Sequence, residues 1–387
     1  MGSNSRLKHL IKLHLIVGAR PNFMKMAPLY RELSLYSEKY EPLIIHTGQH
    51  YDEKMSKLFF NDLDMPKPAA YLNVGSASHG KQTAMIMERY EDLILAGDKP
   101  DLVIVAGDVN STIACALVAK KLYIPVAHLE AGLRSYDDRM PEEINRVLTD
   151  RISDILLTPS LDANKNLEKE GIEPDKIYFV GNIMIDSLIA HKEKAETSNI
   201  FNNLNMLPND SYALVTLHRP SNVDEYNCLK MLLIALSEIS GKIKIIFPMH
   251  PRTKKNIYEL GLSSILNTSS NLIITEPLGY LDFLKLEMNA KFILTDSGGI
   301  QEESTYFGIP CLTLRENTER PITITEGTNQ IVDLNVESIV NSATDIIEGK
   351  NKKGKIPKYW DGKTAARIVK VLDDWFDKRE RATEIIE

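Results

Sequence analysis

Four side chains able to move a proton recur in one kind of place along this chain, at or just past a short apolar run where a strand would end. Asp108 lies in Ala106-Gly107-Asp108-Val109-Asn110-Ser111-Thr112, Glu130 in His128-Leu129-Glu130-Ala131-Gly132-Leu133-Arg134-Ser135, and His218 in Leu217-His218-Arg219. Glu142 follows Pro141 in what would be the first turn of a helix. Three carboxylates and an imidazole grouped this way suit acid–base work, in which one group takes a proton and another returns it. Asp296-Ser297-Gly298-Gly299 offers the complementary chemistry. It follows the run Lys291–Leu294 and leads into Ile300-Gln301-Glu302-Glu303, a strand–turn–helix arrangement. Two adjacent glycines let the backbone approach a ligand, and the N–H groups of the next helix's first turn favour an anion, with phosphate the natural guest. Arg20 in Gly18-Ala19-Arg20-Pro21 and His250 in His250-Pro251-Arg252 add basic groups at similar positions.

Each residue also has an ordinary structural explanation. Glu142 can serve the helix dipole, Asp108 can cap the helix starting near Asn110, and His218 can be an interior histidine. Glu130 is harder to place that way, because it sits between Leu129 and Ala131-Gly132, where a carboxylate without a task is costly. The conjunction carries the argument: all stand where one crevice would lie if the strands are parallel.

The elements that must position them alternate strand and helix. Leu13–Val17, Pro42–His46, Leu102–Ala106, Pro125–Leu129, Ile155–Thr158 and Ile177–Val180 read as strands. Between them Asn22–Tyr36, Lys81–Leu95, Ser111–Lys121 and Pro141–Ile152 read as helices, so the sheet is expected to be parallel. The rhythm repeats with Ala213–Leu217, Lys244–Pro248, Leu272–Thr275, Phe292–Thr295 and Pro310–Leu314, and with helices near Cys228–Ile239, Lys254–Leu260, Gly279–Glu287 and Gln301–Phe307. The reading is α/β with two Rossmann-like domains, 1–189 and 190–363. The polar Ala190–Asn209 serves as junction and hinge. A last helix within 364–387 carries Ile368, Leu372, Trp375 and Phe376 on one face and is expected to pack back on the first domain.

Composition bounds the partners. The 387 residues suffice for two domains, and a net charge of −7 repels a polyanion over most of the surface, so no nucleic-acid partner is expected. Cys115, Cys228 and Cys311 lie far apart, which argues against a zinc site or a disulfide framework and for the cytoplasm. Met1–Ser5 is polar, and the Leu10–Val17 run is broken by Lys12 and His14, so neither a signal peptide nor a membrane span is expected.

The segments quoted above, with Met140-Pro141-Glu142-Glu143-Ile144-Asn145-Arg146 and Thr318-Glu319-Arg320-Pro321, resemble the non-hydrolysing UDP-N-acetylglucosamine 2-epimerases. The likeness is ordered along nearly the whole chain. It implies a glycosyltransferase B-type fold with a deep interdomain cleft, a homodimer, and interconversion of UDP-N-acetylglucosamine and UDP-N-acetylmannosamine without metal, nicotinamide or other cofactor. By that resemblance Asp108, Glu130, Glu142 and His218 match the catalytic positions. Arg20, Lys25, His250, Phe283, Ser297, Gly298, Gly299, Glu303 and Arg320 match those contacting the nucleotide sugar, and Arg134 is counted with them.

The family's chemistry explains those residue types. A proton on C2 beside an acetamido group is not acidic, so the reaction proceeds by eliminating UDP from C1 as C2 loses its proton. The resulting 2-acetamidoglucal then takes UDP back with the proton delivered to the other face. Which carboxylate is base and which acid stays open among Asp108, Glu130 and Glu142. Pro220 and Ser221 after His218-Arg219, Ile322 after Arg320-Pro321, and Val109 depart from the family's pattern, which leaves the sugar substituents open. A 2-epimerase of UDP-2,3-diacetamido-2,3-dideoxy-glucuronate is the alternative, ahead of a hydrolysing epimerase or a glycosyltransferase. Many bacterial members are activated by a second substrate molecule. Pro220 and Tyr51-Asp52-Glu53 stand where such members carry basic residues, so hyperbolic kinetics is expected.

Overall fold

The computed structural model describes residues 10–49, 65–207, 210–266 and 269–384, so Tyr51-Asp52-Glu53 and Met1–Ser5 lie outside the described residues. The chain divides into two compact units, 1–187 with 358–387, and 188–357.

The first unit is a parallel sheet of β1 (Ile11–Val17), β2 (Tyr40–His46), β3 (Ala70–Tyr71), β4 (Leu102–Ala106), β5 (Val126–Leu129), β6 (Ile155–Thr158) and β7 (Ile177–Phe179). Their order is β3-β2-β1-β4-β5-β6-β7, with every pairing parallel. All five residues of β4 are buried, as expected for a central strand covered on both faces. The order reverses direction between β1 and β4, and the ends of these strands open onto the crevice where such sheets take ligands. Crossover helices α1 (Arg20–Ser34), α2 (His79–Leu95), α3 (Asn110–Lys121), α4 (Pro141–Ile152), α5 (Leu161–Lys169) and α6 (Ile183–Glu196) accompany the strands, the last passing from 187 into the second unit.

The C-terminal helix, Thr364–Glu384, belongs to the first unit. The Asp186 carboxylate accepts the Thr364 and Ala365 N–H groups at 3.1 and 2.8 Å, capping its start. Ile368 and Leu372 are fully buried, and Lys39 and Tyr40 both donate to Asp373 at 2.6 Å. The apolar face is thereby covered by α1 and the start of β2.

The second unit holds β8 (Tyr212–Thr216), β9 (Lys244–Pro248), β10 (Leu272–Thr275), β11 (Phe292–Thr295), β12 (Cys311–Thr313) and β13 (Asn329–Ile331), again all parallel, in the order β10-β9-β8-β11-β12-β13. The reversal lies between β8 and β11. Helices α7 (Tyr226–Ser240), α8 (Pro251–Glu259), α9 (Tyr280–Asn289), α10 (Gly298–Phe307) and α11 (Val336–Ile347) flank it. One face is a core of Val215, Leu233, Leu236, Ile245, Phe247, Leu294 and Ile339, among others.

Candidate active site

In the first unit the residues singled out by type stand past the carboxyl ends of β1, β4 and β5. Lys25, on α1, donates its ammonium to Glu130 Oε2, and both side chains are buried. The other carboxylate oxygen, Oε1, is buried and has no hydrogen-bond partner among the described residues. Glu130 also holds a left-handed backbone, φ 68°, which costs a non-glycine residue about 1 kcal/mol and is kept where surroundings over-determine it. Gly107 makes the room: at φ 66°, a Cβ there would stand 2.7 Å from the Lys25 ammonium. Glu130 therefore keeps one oxygen tethered and one lone-pair edge uncommitted, as a proton acceptor or cation stabiliser requires.

Asp108 does not cap α3; Val109 holds that position, and no side chain caps the helix. The Asp108 carboxylate instead receives Arg146 Nη2, and its carbonyl accepts Asn145 Nδ2 at 2.9 Å. Glu142 and Glu143 divide two roles within one turn. Glu143 is buried and accepts Ser135 N, Ser135 Oγ and Tyr136 N within 3.1 Å, along with Arg146 Nη1. Among the described residues Glu142 has no hydrogen-bond or ion-pair partner. The structural task open to either glutamate belongs to Glu143.

Arg134 is spent inside the fold. Its guanidinium grips Glu170 through Nε and Nη2, both at 2.7 Å, and reaches Asp150 Oδ2 at 2.7 Å. Asp150 also accepts Gly132 N at 3.0 Å and pairs with His128 Nδ1 at 2.6 Å, while His128 Nε2 meets the Gly107 carbonyl at 2.8 Å. Burial alone would raise the Asp150 pKa; His128 and Arg134 outweigh it and hold the carboxyl below its ordinary range. One buried carboxylate thus braces both the Gly107-Asp108 turn and the loop carrying Glu130. Arg20 opens α1, and its side chain lies outside the described residues.

In the second unit His218 follows β8 and is half exposed, not interior. Its Nδ1 stands 3.0 Å from Asp296 Oδ1, and its own N–H and that of Arg219 donate to the same carboxylate at 3.0 and 2.9 Å. Asp296 is fully buried, which would raise its pKa, yet His218 and the two backbone N–H groups hold it low. The dyad holds the imidazole by Nδ1 while the side chain stays 42% exposed, as a proton-handling histidine requires. His250 lies beside it with the ring tilted by 42° and centroids 5.8 Å apart, and its pKa is lowered by burial and then by His218.

No side chain caps α10, so its first N–H groups past Ser297 face outward. Gly298 is required there because a Cβ would stand 2.5 Å from Arg320 Nη1, whereas Gly299 borders open space. Arg320 is held beneath by Glu302 at 2.9 Å and Glu319 at 2.5 Å. Glu303 is buried on α10 with the Tyr280 hydroxyl 3.5 Å away, and Phe283 is a partly buried member of the core on that side. Sequence reading missed Arg146, Asp150 and Asp296 as orienting groups. Arg146, three residues past Glu143, carried a helical-spacing signal, while the partners of Asp296 lie nearly eighty residues away and left none.

Two parallel-sheet α/β units, with carboxylates at the switch point of one and an uncapped glycine-lined helix start at that of the other, define a nucleotide-sugar enzyme of glycosyltransferase B type. A family model described as UDP-N-acetylglucosamine 2-epimerase matches residues 34–373, and the chain belongs to that family. A UDP-N-acetylglucosamine 2-epimerase of Methanocaldococcus jannaschii is 46% identical, over 94% of this chain and 99% of its own length. The crystal structure of a UDP-GlcNAc 2-epimerase from that organism, in complex with UDP-GlcNAc and UDP, superposes with a TM-score of 0.86 at 46% identity, covering 94% of this chain and 99% of the other. A UDP-2,3-diacetamido-2,3-dideoxy-D-glucuronate 2-epimerase of Pseudomonas aeruginosa is 39% identical over 94% of this chain and 99% of its own.

Proposed function

We infer that this chain interconverts UDP-N-acetylglucosamine and UDP-N-acetylmannosamine without hydrolysing them. The observation that carries the reading is the treatment of the three carboxylates. Among the described residues, Glu130 keeps a buried oxygen without a partner, Glu142 is left unengaged while Glu143 does the structural work, and Asp108 is aimed by Arg146. A protein that only bound a sugar nucleotide would gain nothing from such a set. The relative whose structure holds UDP-GlcNAc and UDP supports the choice of substrate.

In the reaction the C1–O bond to the pyrophosphate breaks and its electron pair leaves with UDP. A carboxylate takes the C2 proton, and C1=C2 forms. Re-addition of UDP at C1 is matched by protonation of C2 from the opposite face. Charge gathers on the leaving pyrophosphate, where the N–H groups past Ser297, Arg320, Arg20 and His250 stabilise it. Glu303 accepts from the ribose hydroxyls and Phe283 lies against uracil. Carboxylates of the first unit offset the positive character of the ring. Arg134 acts through the loop it braces.

The protein acts as a homodimer in the cytoplasm. The first point is supported by an exposed apolar stripe on α4, where Ile144, Val147 and Leu148 are 50%, 36% and 49% exposed at helical spacing. For the second, no helix among the described residues is long and apolar enough to cross a membrane.

The test is UDP-N-acetylglucosamine in heavy water, followed by NMR. Deuterium should enter C2 as UDP-N-acetylmannosamine appears, with UDP retained in the nucleotide sugar. Epimerised product with protium at C2 would sink the elimination route. Turnover of the diacetamido-glucuronate nucleotide alone would move the chain to its other relative's activity.

A further inference from the structure

Glu287, on α9, is a carboxyl group that the reading above leaves without a task. It is fully buried, and no amide, hydroxyl or cation among the described residues donates to either of its oxygens. Its helix packs against α10, and the group acting on it, by charge and by hydrogen bond, is a second carboxyl, that of Glu303. An ionised carboxylate shut off from the surface, without a protein donor and against a like charge, is too costly to persist. Burial, then Glu303, pushes the Glu287 pKa well above the usual carboxylate range. A neutral carboxylic acid has one O–H to give, and Glu303 is the acceptor in contact with it.

We propose that Glu287 is a positioning residue, a buried neutral acid whose O–H donates to Glu303 and, with the Tyr280 hydroxyl, fixes that carboxylate for the ribose of the nucleotide. The proposal rests on Glu303 accepting from the ribose. Around the pair stand Tyr280, whose hydroxyl lies 3.5 Å from Glu303, the buried His191, whose ring meets that of Tyr280 edge-on at 5.8 Å, and Cys311 on β12, whose thiol is pushed up to about 12, chiefly by burial, and stays neutral. Charge repulsion sets the consequence. Once pH rises far enough to ionise Glu287, two carboxylates are in contact, Glu303 is driven from its place, and UDP binding weakens.

Three variants and two readouts test this. UDP affinity of the wild type, by calorimetry, should fall as pH is raised from neutral into the alkaline range, whereas Glu287→Gln, which donates through its amide and cannot ionise, should bind as wild type at neutral pH and lose that fall. Glu287→Leu should weaken UDP binding at neutral pH by roughly tenfold or more, the loss of a hydrogen bond to a charged group. The wild-type infrared spectrum should carry a neutral-acid carbonyl band at neutral pH that Glu287→Gln lacks. A wild-type spectrum without that band, or a pH dependence of binding unchanged in Glu287→Gln, overturns the proposal. Glu303→Ala separates the two readings: if it binds UDP as wild type, the ribose role of Glu303 fails even where the infrared band stands.

Discussion

Glu142 is the most informative single residue to change, because its carboxylate holds no partner among the described residues. Glu142→Gln should leave thermal stability within about 0.5 kcal/mol of wild type while lowering turnover roughly a hundredfold or more. Asp108→Asn and Glu130→Gln should lose turnover on the same scale, with some loss of stability as well, since Arg146 and Lys25 lose a charged partner. Near-wild-type turnover in any one of them would return that residue to a structural role. Asp150 calls for a different measurement. Its folded pKa is depressed, so its contribution to stability is present above the ordinary carboxylate range and is lost as pH falls through the lower folded value. Asp150→Asn breaks a buried pair with Arg134 and His128 and should cost about 3–5 kcal/mol at neutral pH. Melting curves run toward acid should show the gap to wild type closing; a constant gap would mean the carboxylate is not ionised in the folded protein.

At the scale of elements, the turn into α10 makes a paired prediction. Gly298→Ala places a methyl 2.5 Å from Arg320 Nη1 and 2.6 Å from Glu319 Oε1, so the guanidinium must move off Glu302 and Glu319. UDP affinity should fall roughly tenfold or more while the circular dichroism spectrum stays that of wild type. Apart from its own helix and chain neighbours, Gly299→Ala meets no atom of the described residues within 4 Å and raises helix propensity, so its melting temperature should not drop. A loss of UDP binding there can come only from the ligand's own approach, and unimpaired binding would place the phosphate elsewhere. This turn was legible in the sequence because its glycines and the run before it are local signals. So were the central strands, whose Val, Ile and Leu runs reflect burial on both faces. Ala70–Tyr71 and Asn329–Ile331 were not, being edge strands of two and three residues with little apolar content. α11 was overlooked although Asn335 caps it and Ile339, Ala343 and Ile346 mark its buried face. The assignment of Glu143 rather than Glu142 to the Ser135 loop was beyond sequence, since either carboxylate suits a helix's first turn and only chain geometry separates them.

For the whole molecule, association and kinetics are the observables. If the α4 stripe is the subunit interface, Leu148→Glu, on an exposed position, should yield monomers by light scattering with the fold intact. A persistent dimer would locate the interface elsewhere. The kinetic order depends on whether groups near the site remain to bind a second substrate molecule. Gln49 has its carbonyl oxygen on Ser111 N and Oγ, at 3.1 and 2.7 Å. Arg219 directs Nε to the Asp296 carbonyl at 3.0 Å and Nη2 toward Glu319 at 3.5 Å, and the chain then enters a short helix at Pro220. These side chains brace the turns at β8 and α3, and withdrawing them to hold a second nucleotide would uncover buried partners. Initial rates should therefore rise hyperbolically with UDP-N-acetylglucosamine, and UDP-N-acetylmannosamine alone should turn over without delay. A sigmoidal curve, or a lag with UDP-N-acetylmannosamine abolished by a trace of UDP-N-acetylglucosamine, would mean that an activating subsite forms despite Pro220 and Ser221.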